Sequence, residues 1–211
     1  MKKIIITSVL LFFGLATGSY ATVIDFTSGD FSSAGGQSSF YYSSAGLTIE
    51  ALPSGAELYH DTTDGLGVIH DYEDDEIEGD ELLHLHFDAA QFLNEILITD
   101  LFYEPSNGGN YNFQEEGQYS FDLTEWNGFV ADTSQTPSPA TNGELTLFFP
   151  SSPVITDIWF QAPGWQANHL EDHEFSVGGI DVSPVPEPST ILLFSSGLIG
   201  LAGLRRKFRK R

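Results

Sequence analysis

Between residues 22 and 184 the chain alternates short apolar segments with turn-forming residues, chiefly Gly, Pro, Ser and Asn. The clearest case is 82–87 (LLHLHF), where a strand would place leucine and phenylalanine on one face and two histidines on the other. No long amphipathic helical pattern interrupts these segments. The pattern therefore predicts an all-β domain, an antiparallel β-sandwich of jelly-roll type built from roughly ten strands.

The predicted strands are 22–26, 39–42, 47–52, 57–60, 66–70, 82–87, 95–102, 119–126, 129–132, 144–149, 154–160 and 175–182. A brief helical turn is expected at 88–93, between two of them. Within 119–126 the alternation predicts that Tyr119, Phe121 and Leu123 point into the core.

The first 21 residues follow a different pattern. Lys2 and Lys3 precede an apolar run over 4–15, and the segment ends in Ser19-Tyr20-Ala21, with small residues at alternate positions. This layout predicts a secretory signal peptide that signal peptidase cuts after Ala21. A buried N-terminal helix would need neither the initial lysines nor the small exit residues.

The C-terminal segment 185–211 also stands apart and has three pieces. Pro186-Glu187-Pro188 is stiff and extended, because each proline fixes its own φ and restricts the preceding residue. An uncharged apolar stretch over 191–204 and a basic cluster over 205–211 follow. They predict a short transmembrane helix with its basic end in the cytoplasm, which leaves residues 22 to about 188 on the outer face of the inner membrane.

In this order the three pieces resemble the PEP-CTERM family of sorting signals, which exported proteins of Gram-negative bacteria carry. The resemblance covers 185–211 and starts with Val185-Pro186-Glu187-Pro188-Ser189-Thr190. It implies that an exosortase recognises the Pro-Glu-Pro tripeptide and removes the tail. A transient stay in the inner membrane, then delivery to the cell surface or extracellular matrix, would follow. A permanent tail anchor is the alternative.

The distribution of charged residues limits which classes of molecule the domain can bind. The chain has 8 Lys and Arg against 30 Asp and Glu, and a net charge of −22. All the basic residues lie in the two terminal segments, so 22–204 contains none. Nothing there could neutralise phosphates, which excludes nucleic acid as a partner. Divalent cations are the natural counter-ions. With no cysteine, the fold depends on its core or on metal rather than on disulfides.

The densest acidic segment is 71–81, in which most side chains are carboxylates. Ca²⁺ prefers six to eight oxygen ligands, and Gly79 would allow the chain to bend around an ion. The candidate ligands are Asp71, Asp74, Asp75, Glu76 and Glu78. The spacing does not match an EF-hand loop, and a solvated acidic loop is the alternative.

A second candidate calcium site joins the two ends of the domain. Asp25 lies in the first predicted strand and Asp181 in the last. By analogy with jelly-roll carbohydrate-binding domains, where these strands lie side by side and share a structural calcium, both carboxylates could reach one ion. The alternative is two exposed strand residues.

The histidines suggest zinc chemistry. His84 and His86 are two apart, so a strand would point both the same way, and a third ligand would complete a Zn²⁺ site. His169 and His173 would share a face only if that segment were helical. The alternative is surface or half-buried histidines in an acidic field.

Three tryptophans are candidates for stacking on sugars. Trp165 lies in a loop-like segment and is the candidate glycan-binding residue, whereas Trp159, inside a strand pattern, is expected in the core. Trp126 has no distinguishing context.

No nucleophile elbow, catalytic cysteine or P-loop is present, and nothing selects a catalytic pair among the acids. The leading hypothesis is therefore a non-catalytic structural or adhesive module at the cell surface, which binds Ca²⁺ and extracellular polysaccharide. An extracellular polysaccharide hydrolase and a divalent-metal-binding protein are the alternatives.

Overall fold

The computed structural model describes residues 21–70, 76–104, 113–132, 143–163, 173–186 and 197. These residues contain thirteen strands and one 3-10 turn, Gly29–Phe31. The strands are Thr22–Asp25 (β1), Ser39–Tyr42 (β2), Leu47–Leu52 (β3), Glu57–Asp61 (β4), Gly65–Ile69 (β5), Leu82–Thr99 (β6), Tyr103–Glu104 (β7), Phe113–Gln114 (β8), Glu116–Ser120 (β9), Trp126–Val130 (β10), Leu145–Phe148 (β11), Val154–Gln161 (β12) and Ser176–Pro184 (β13).

Eleven of the strands form one curled antiparallel sheet. Its main path runs β10-β9-β12-β6-β13-β5-β4. Beside this path, β1 pairs with β13, β11 and β3 pair with β6, and β2 pairs with β3. The strands β7 and β8 form a separate pair. The prediction of an all-β antiparallel fold is confirmed.

The centre of the sheet is β6, which is 18 residues long. One edge of β6 pairs with β3 and then β13, and the other pairs with β12 and then β11. The helical turn predicted at 88–93 is wrong, because the backbone stays extended and joins the two strands predicted on either side. Gln91 and Phe92 pair with both β12 and β13, so pairing overrides the local sequence preference.

Both halves of β6 pack an inner face against the core, whereas Asp88 and Ala89 between them are exposed. Leu83, Leu85 and Phe87 are buried in the first half of the strand, and Ile96 and Ile98 in the second. The predicted alternation over 82–87 is therefore confirmed. Each such side chain contributes roughly 1.5–3 kcal/mol when it leaves water. The same core contains the largest buried aromatic residues: Phe26, Phe31, Phe87, Phe160 and Phe175.

The strand predicted at 119–126 is a hairpin instead. The first strand, β9, ends at Ser120, and β10 begins at Trp126. Tyr119 and Phe121 are partly buried and pack against the core as predicted. Leu123 was predicted to point inward but is exposed with a left-handed φ of 63°, and Ser120, predicted to point outward, is fully buried. The Asp122 carboxylate accepts hydrogen bonds from the amides of Thr124 (2.8 Å) and Glu125 (3.1 Å), which fixes the turn.

The last strand of the domain, β13, lies inside the sheet, with neighbouring strands on both sides. β13 pairs with β1 on one side and β6 on the other, and it ends at Pro184. One residue later, the amide of Val185 still donates to the carbonyl of Ala90 over 3.2 Å. Within the described ranges, none of the helices is both long enough and apolar enough to span a membrane.

Candidate functional site

The outer face of three adjacent strands, β3, β6 and β12, brings two histidines and two carboxylates together. Because alternate residues of β6 point to opposite faces, His84 and His86 lie outward while Leu83, Leu85 and Phe87 face the core. Glu50 of β3 is directly opposite His84, and Asp157 of β12 is directly opposite His86. We call these four residues the histidine cluster.

The two imidazoles of the histidine cluster converge on one carboxylate oxygen. Oδ1 of Asp157 lies 3.0 Å from Nε2 of His84 and 2.8 Å from Nδ1 of His86. The other nitrogen of His84, Nδ1, lies 3.1 Å from Oε2 of Glu50. His84 is therefore held between two carboxylates from two different strands.

Burial in the histidine cluster is graded. The side chain of His84 is 14% exposed and that of Asp157 is 23% exposed, whereas His86 is 46% exposed. Burial alone would raise the pKa of Asp157, but hydrogen bonds from Thr156, His86 and His84 outweigh it and hold this pKa below its ordinary value. The cluster thus contains an ionised carboxylate that solvent reaches from the side of His86.

Trp159 forms one wall of the histidine cluster. Its ring stacks on His84 with centroids 4.6 Å apart and an interplanar angle of 5°. The two residues are direct neighbours across β12 and β6. Trp159 is only half-buried on this outer face, so the prediction of a core tryptophan is wrong. Successive side chains of β12 point to opposite faces, and Ile158 and Phe160 point inward, so Trp159 between them points outward.

Three residues of the cluster, His84, His86 and Asp157, have ligand atoms within 4.8 Å of one another. Across the part of the chain that the structure describes, no other group of three or more His, Cys, Asp or Glu is as close. Two imidazoles and a carboxylate can hold a transition-metal ion, donate and accept protons, or form a hydrogen-bonded network. The histidine pair was predicted from spacing, but Asp157 was not.

The acidic segment is described only from residue 76 onward, so Asp71, Asp74 and Asp75 lie outside the described residues. Glu76 and Glu78 are half-buried and flank Ile77, which is fully buried and donates its amide to Phe175 over 2.8 Å. Gly79 has a φ of 58°, in the left-handed region that favours glycine, and binding of an ion by this segment stays a prediction.

Glu81 closes this segment immediately before β6 and was not singled out from the sequence. It is buried and accepts a hydrogen bond from the amide of Glu78 over 3.1 Å. Burial raises its pKa to about 7, against the lowering effect of backbone hydrogen bonds from Glu78 and His70. A buried glutamate was not identifiable from the sequence among so many acids, because burial depends on the tertiary fold.

Strands β1 and β13 lie side by side, as the second calcium prediction requires. Asp25 is opposite Gly179 and Asp181 is opposite Val23, so the two aspartates are diagonal neighbours on one face. Asp25 Oδ1 accepts hydrogen bonds from the amide (3.0 Å) and hydroxyl (2.6 Å) of Thr27. Shared calcium binding by the pair stays a prediction.

The remaining predicted site residues lie mostly beyond the described part of the chain. Trp165, His169, Glu187 and Pro188 are outside it, whereas Ala21 and Pro186 are described and exposed. His173 accepts a hydrogen bond at Nδ1 from the amide of Glu116 over 3.1 Å.

Comparison with known proteins identifies the C-terminal segment. Residues 184–207 match the family model described as the PEP-CTERM protein-sorting motif. The predicted sorting signal is confirmed, and the motif implies export, processing by an exosortase, and a surface or extracellular location in a Gram-negative bacterium. No curated protein matches the chain.

Proposed function

We propose that this chain is an exosortase-processed protein whose β-domain has a non-catalytic structural or adhesive role at the cell surface or in the extracellular matrix. The observation that carries the proposal is the position of the sorting motif. It starts at residue 184, the last residue of β13, with no linker between sheet and signal. The tail would therefore hold the folded domain directly against the membrane until cleavage releases it.

In this proposal the curled sheet is a β-sandwich of jelly-roll type. The curling and the position of the core support this arrangement, since the buried side chains of β6 belong to one core cluster with Phe160 of β12 and Phe129 of β10. The first and last strands, β1 and β13, also pair. Such a domain needs no disulfide, because its core is rich in phenylalanine.

A non-catalytic role agrees with how the buried carboxylates are used. Glu81 and Glu115 are buried, and each accepts hydrogen bonds from backbone amides, those of Glu78 and Phe102 among them. A polysaccharide hydrolase would need two carboxylates on opposite sides of a scissile bond. Carboxylates that hold backbone amides in place are structural, so a hydrolase remains the second hypothesis.

Calcium and polysaccharide are the proposed ligands of the surface. Asp71, Asp74, Asp75, Glu76 and Glu78 would supply one calcium site, Asp25 and Asp181 another, and Trp165 a sugar-stacking ring. The absence of Lys and Arg between residues 22 and 204 leaves cations as the available counter-charge. A Ca²⁺-specific rise in the unfolding midpoint of the full chain, absent with Mg²⁺ or matched NaCl, would support specific sites.

Intact-mass measurement of the protein recovered outside the cells tests the sorting proposal. We expect an N-terminus at Thr22 and a C-terminus close to Pro186-Glu187-Pro188 in the native host. The same protein should keep its tail and stay in the membrane fraction of a strain that lacks exosortase. The test variant is Glu187→Gln, which alters the tripeptide and should accumulate uncut.

The matched control is Glu125→Gln, which makes the same chemical change at an exposed turn position. It should be processed at the wild-type rate. An exported protein that still ends at Arg211 in the wild-type host would contradict the proposal and would favour a permanent tail anchor.

A further inference from the structure

We propose that the histidine cluster binds one divalent transition-metal ion of the Zn²⁺ class, with His84, His86 and Asp157 as ligands and Glu50 as the residue that orients His84. The site would make the exported domain a metal-binding module. The inference is independent of the sorting proposal, because it rests on the sheet alone.

The first argument is a count of protons. A neutral imidazole carries a hydrogen on one nitrogen only. Both nitrogens of His84 lie within hydrogen-bond distance of carboxylate oxygens, at 3.1 Å from Glu50 and 3.0 Å from Asp157. Without a metal, His84 must hold two protons or direct a lone pair at a carboxylate. A metal ion between Nε2 and Oδ1 of Asp157 would let a neutral His84 donate its one ring proton to Glu50 and use the Nε2 lone pair as a ligand.

The second argument is the direction of the ligands. If Glu50 accepts the Nδ1 proton of His84, the Nε2 lone pair points toward the same region as Nδ1 of His86 and Oδ1 of Asp157. A ligating histidine whose other nitrogen donates to a carboxylate is the usual arrangement of protein zinc sites. Trp159, stacked on His84, fixes the plane of the ring in addition.

The third argument is the distance between the ligand atoms. Around a tetrahedral Zn²⁺ with bonds of about 2.0 Å, ligand atoms lie about 3.3 Å apart. The contacts from Asp157 to the two imidazoles, at 3.0 and 2.8 Å, need to open by only a few tenths of an ångström. Paired strands with a packed core behind them hold such positions more precisely than loops do.

The ligand atoms of the histidine cluster determine which metal ions it would bind. Two nitrogens and one oxygen suit Zn²⁺ and neighbouring transition metals, whereas Ca²⁺ and Mg²⁺ prefer oxygen ligands alone. The exposed side of His86 leaves a coordination position for water or an external ligand. The absence of Lys and Arg from 22–204 makes the surrounding field attractive to cations.

Zn²⁺ titration of the purified full chain in a mild detergent tests the proposal. Excess Mg²⁺ in the buffer would occupy the dispersed carboxylates. We expect one Zn²⁺ per chain, and visible absorption bands typical of tetrahedral Co²⁺ when Co²⁺ replaces it. Glu50→Gln should weaken binding by about 10–100-fold, and Asp157→Asn or His86→Gln by more, since they remove a direct ligand.

Two controls separate the site from general effects. Glu125→Gln removes an exposed carboxylate far from the histidine cluster in sequence, and His60→Gln removes a histidine outside it; both should bind Zn²⁺ as the wild type does. His86→Gln is the decisive variant, because its exposed side chain can change without disturbing the core. Absence of stoichiometric binding, or unchanged affinity and Co²⁺ bands in His86→Gln, would overturn the proposal.

Discussion

The two halves of β6 have the same kind of inner face and different outer faces. Inward, both halves bury aliphatic side chains, Leu85 in the first and Ile96 in the second. Outward, the first half pairs histidines with carboxylates, whereas in the second half Glu95 lies directly opposite Asp181 of β13. The comparison shows the same inward packing beneath two outer faces, one where histidines compensate the carboxylates and one where two carboxylates face each other.

The largest effect should come from the shared inner face. Leu85→Ala leaves a cavity between Ile49 and Ile158, its neighbours on β3 and β12, and should lower the free energy of unfolding by about 2–5 kcal/mol. Ile96→Ala should cost a similar amount. Chemical denaturation of both variants measures this, and a loss confined to one of them would show that the two halves are not equivalent inside.

The second-largest effect on stability should come from the outer face of the first half of β6. Asp157→Asn, measured without metal, removes the charge that both imidazoles contact, and should destabilise the domain by about 1–3 kcal/mol. Glu125→Gln is the control and should change stability little, since its side chain is exposed. Unchanged stability of Asp157→Asn would mean that the histidine cluster does not contribute to the fold.

A third effect concerns the carboxylate at the start of β6. Burial raises the pKa of Glu81 to about 7 from 4.5, with Glu78, Asp80 and His70 as its titratable neighbours. Between these values the folded state keeps a proton that the unfolded state has lost. Stability should therefore fall as pH rises through this window.

Glu81→Gln cannot ionise and should remove this slope. At pH 8 it should be more stable than the wild type by about 1–2 kcal/mol, after discounting for solvent screening, and the difference should vanish near pH 4. Denaturation midpoints across pH 4–8 test it, with Glu125→Gln as the reference. If the difference in free energy of unfolding between Glu81→Gln and the wild type did not change over this pH range, the raised pKa of Glu81 would be contradicted.

Which features the sequence predicts depends on how local their causes are. The alternation over 82–87 and the bounds of β2 and β3 follow from local patterns and are confirmed. The segment 119–126 has the same alternation, yet the hydrogen bonds of Asp122 turn it into a hairpin. Only the competition between turn chemistry and apolar periodicity decides between these outcomes.

The candidate site was half predictable for the same reason. His84 and His86 share a face because of spacing alone, whereas Asp157 is 71 positions from His86 in sequence and meets it only through strand pairing. One signal was present, since Asp157 is the single acid within β12. Its partner could not be identified before the order of the strands was known.

The smallest effect tests the second half of β6. Directly opposite like charges destabilise a sheet, so Asp181→Asn should raise stability by about 0.2–1 kcal/mol at neutral pH and low salt. Glu95→Gln should give a similar gain. The double variant should gain less than the sum, because either change alone removes the repulsion. Urea denaturation with chelator present, at low and high salt, measures all three.

A loss of stability in Asp181→Asn, instead of the expected gain, would be equally informative. One carboxylate oxygen of Asp181, Oδ1, is buried and has no hydrogen-bond partner among the described residues. If Asp181→Asn lowers stability in Ca²⁺ but not in chelator, a cation compensates the two charges and the proposed calcium site involving Asp181 gains support. The second half of β6 would then resemble the first, each with its own cation. If the gain persists in both conditions, the difference between the halves stands, and transition-metal binding belongs to the histidine half alone.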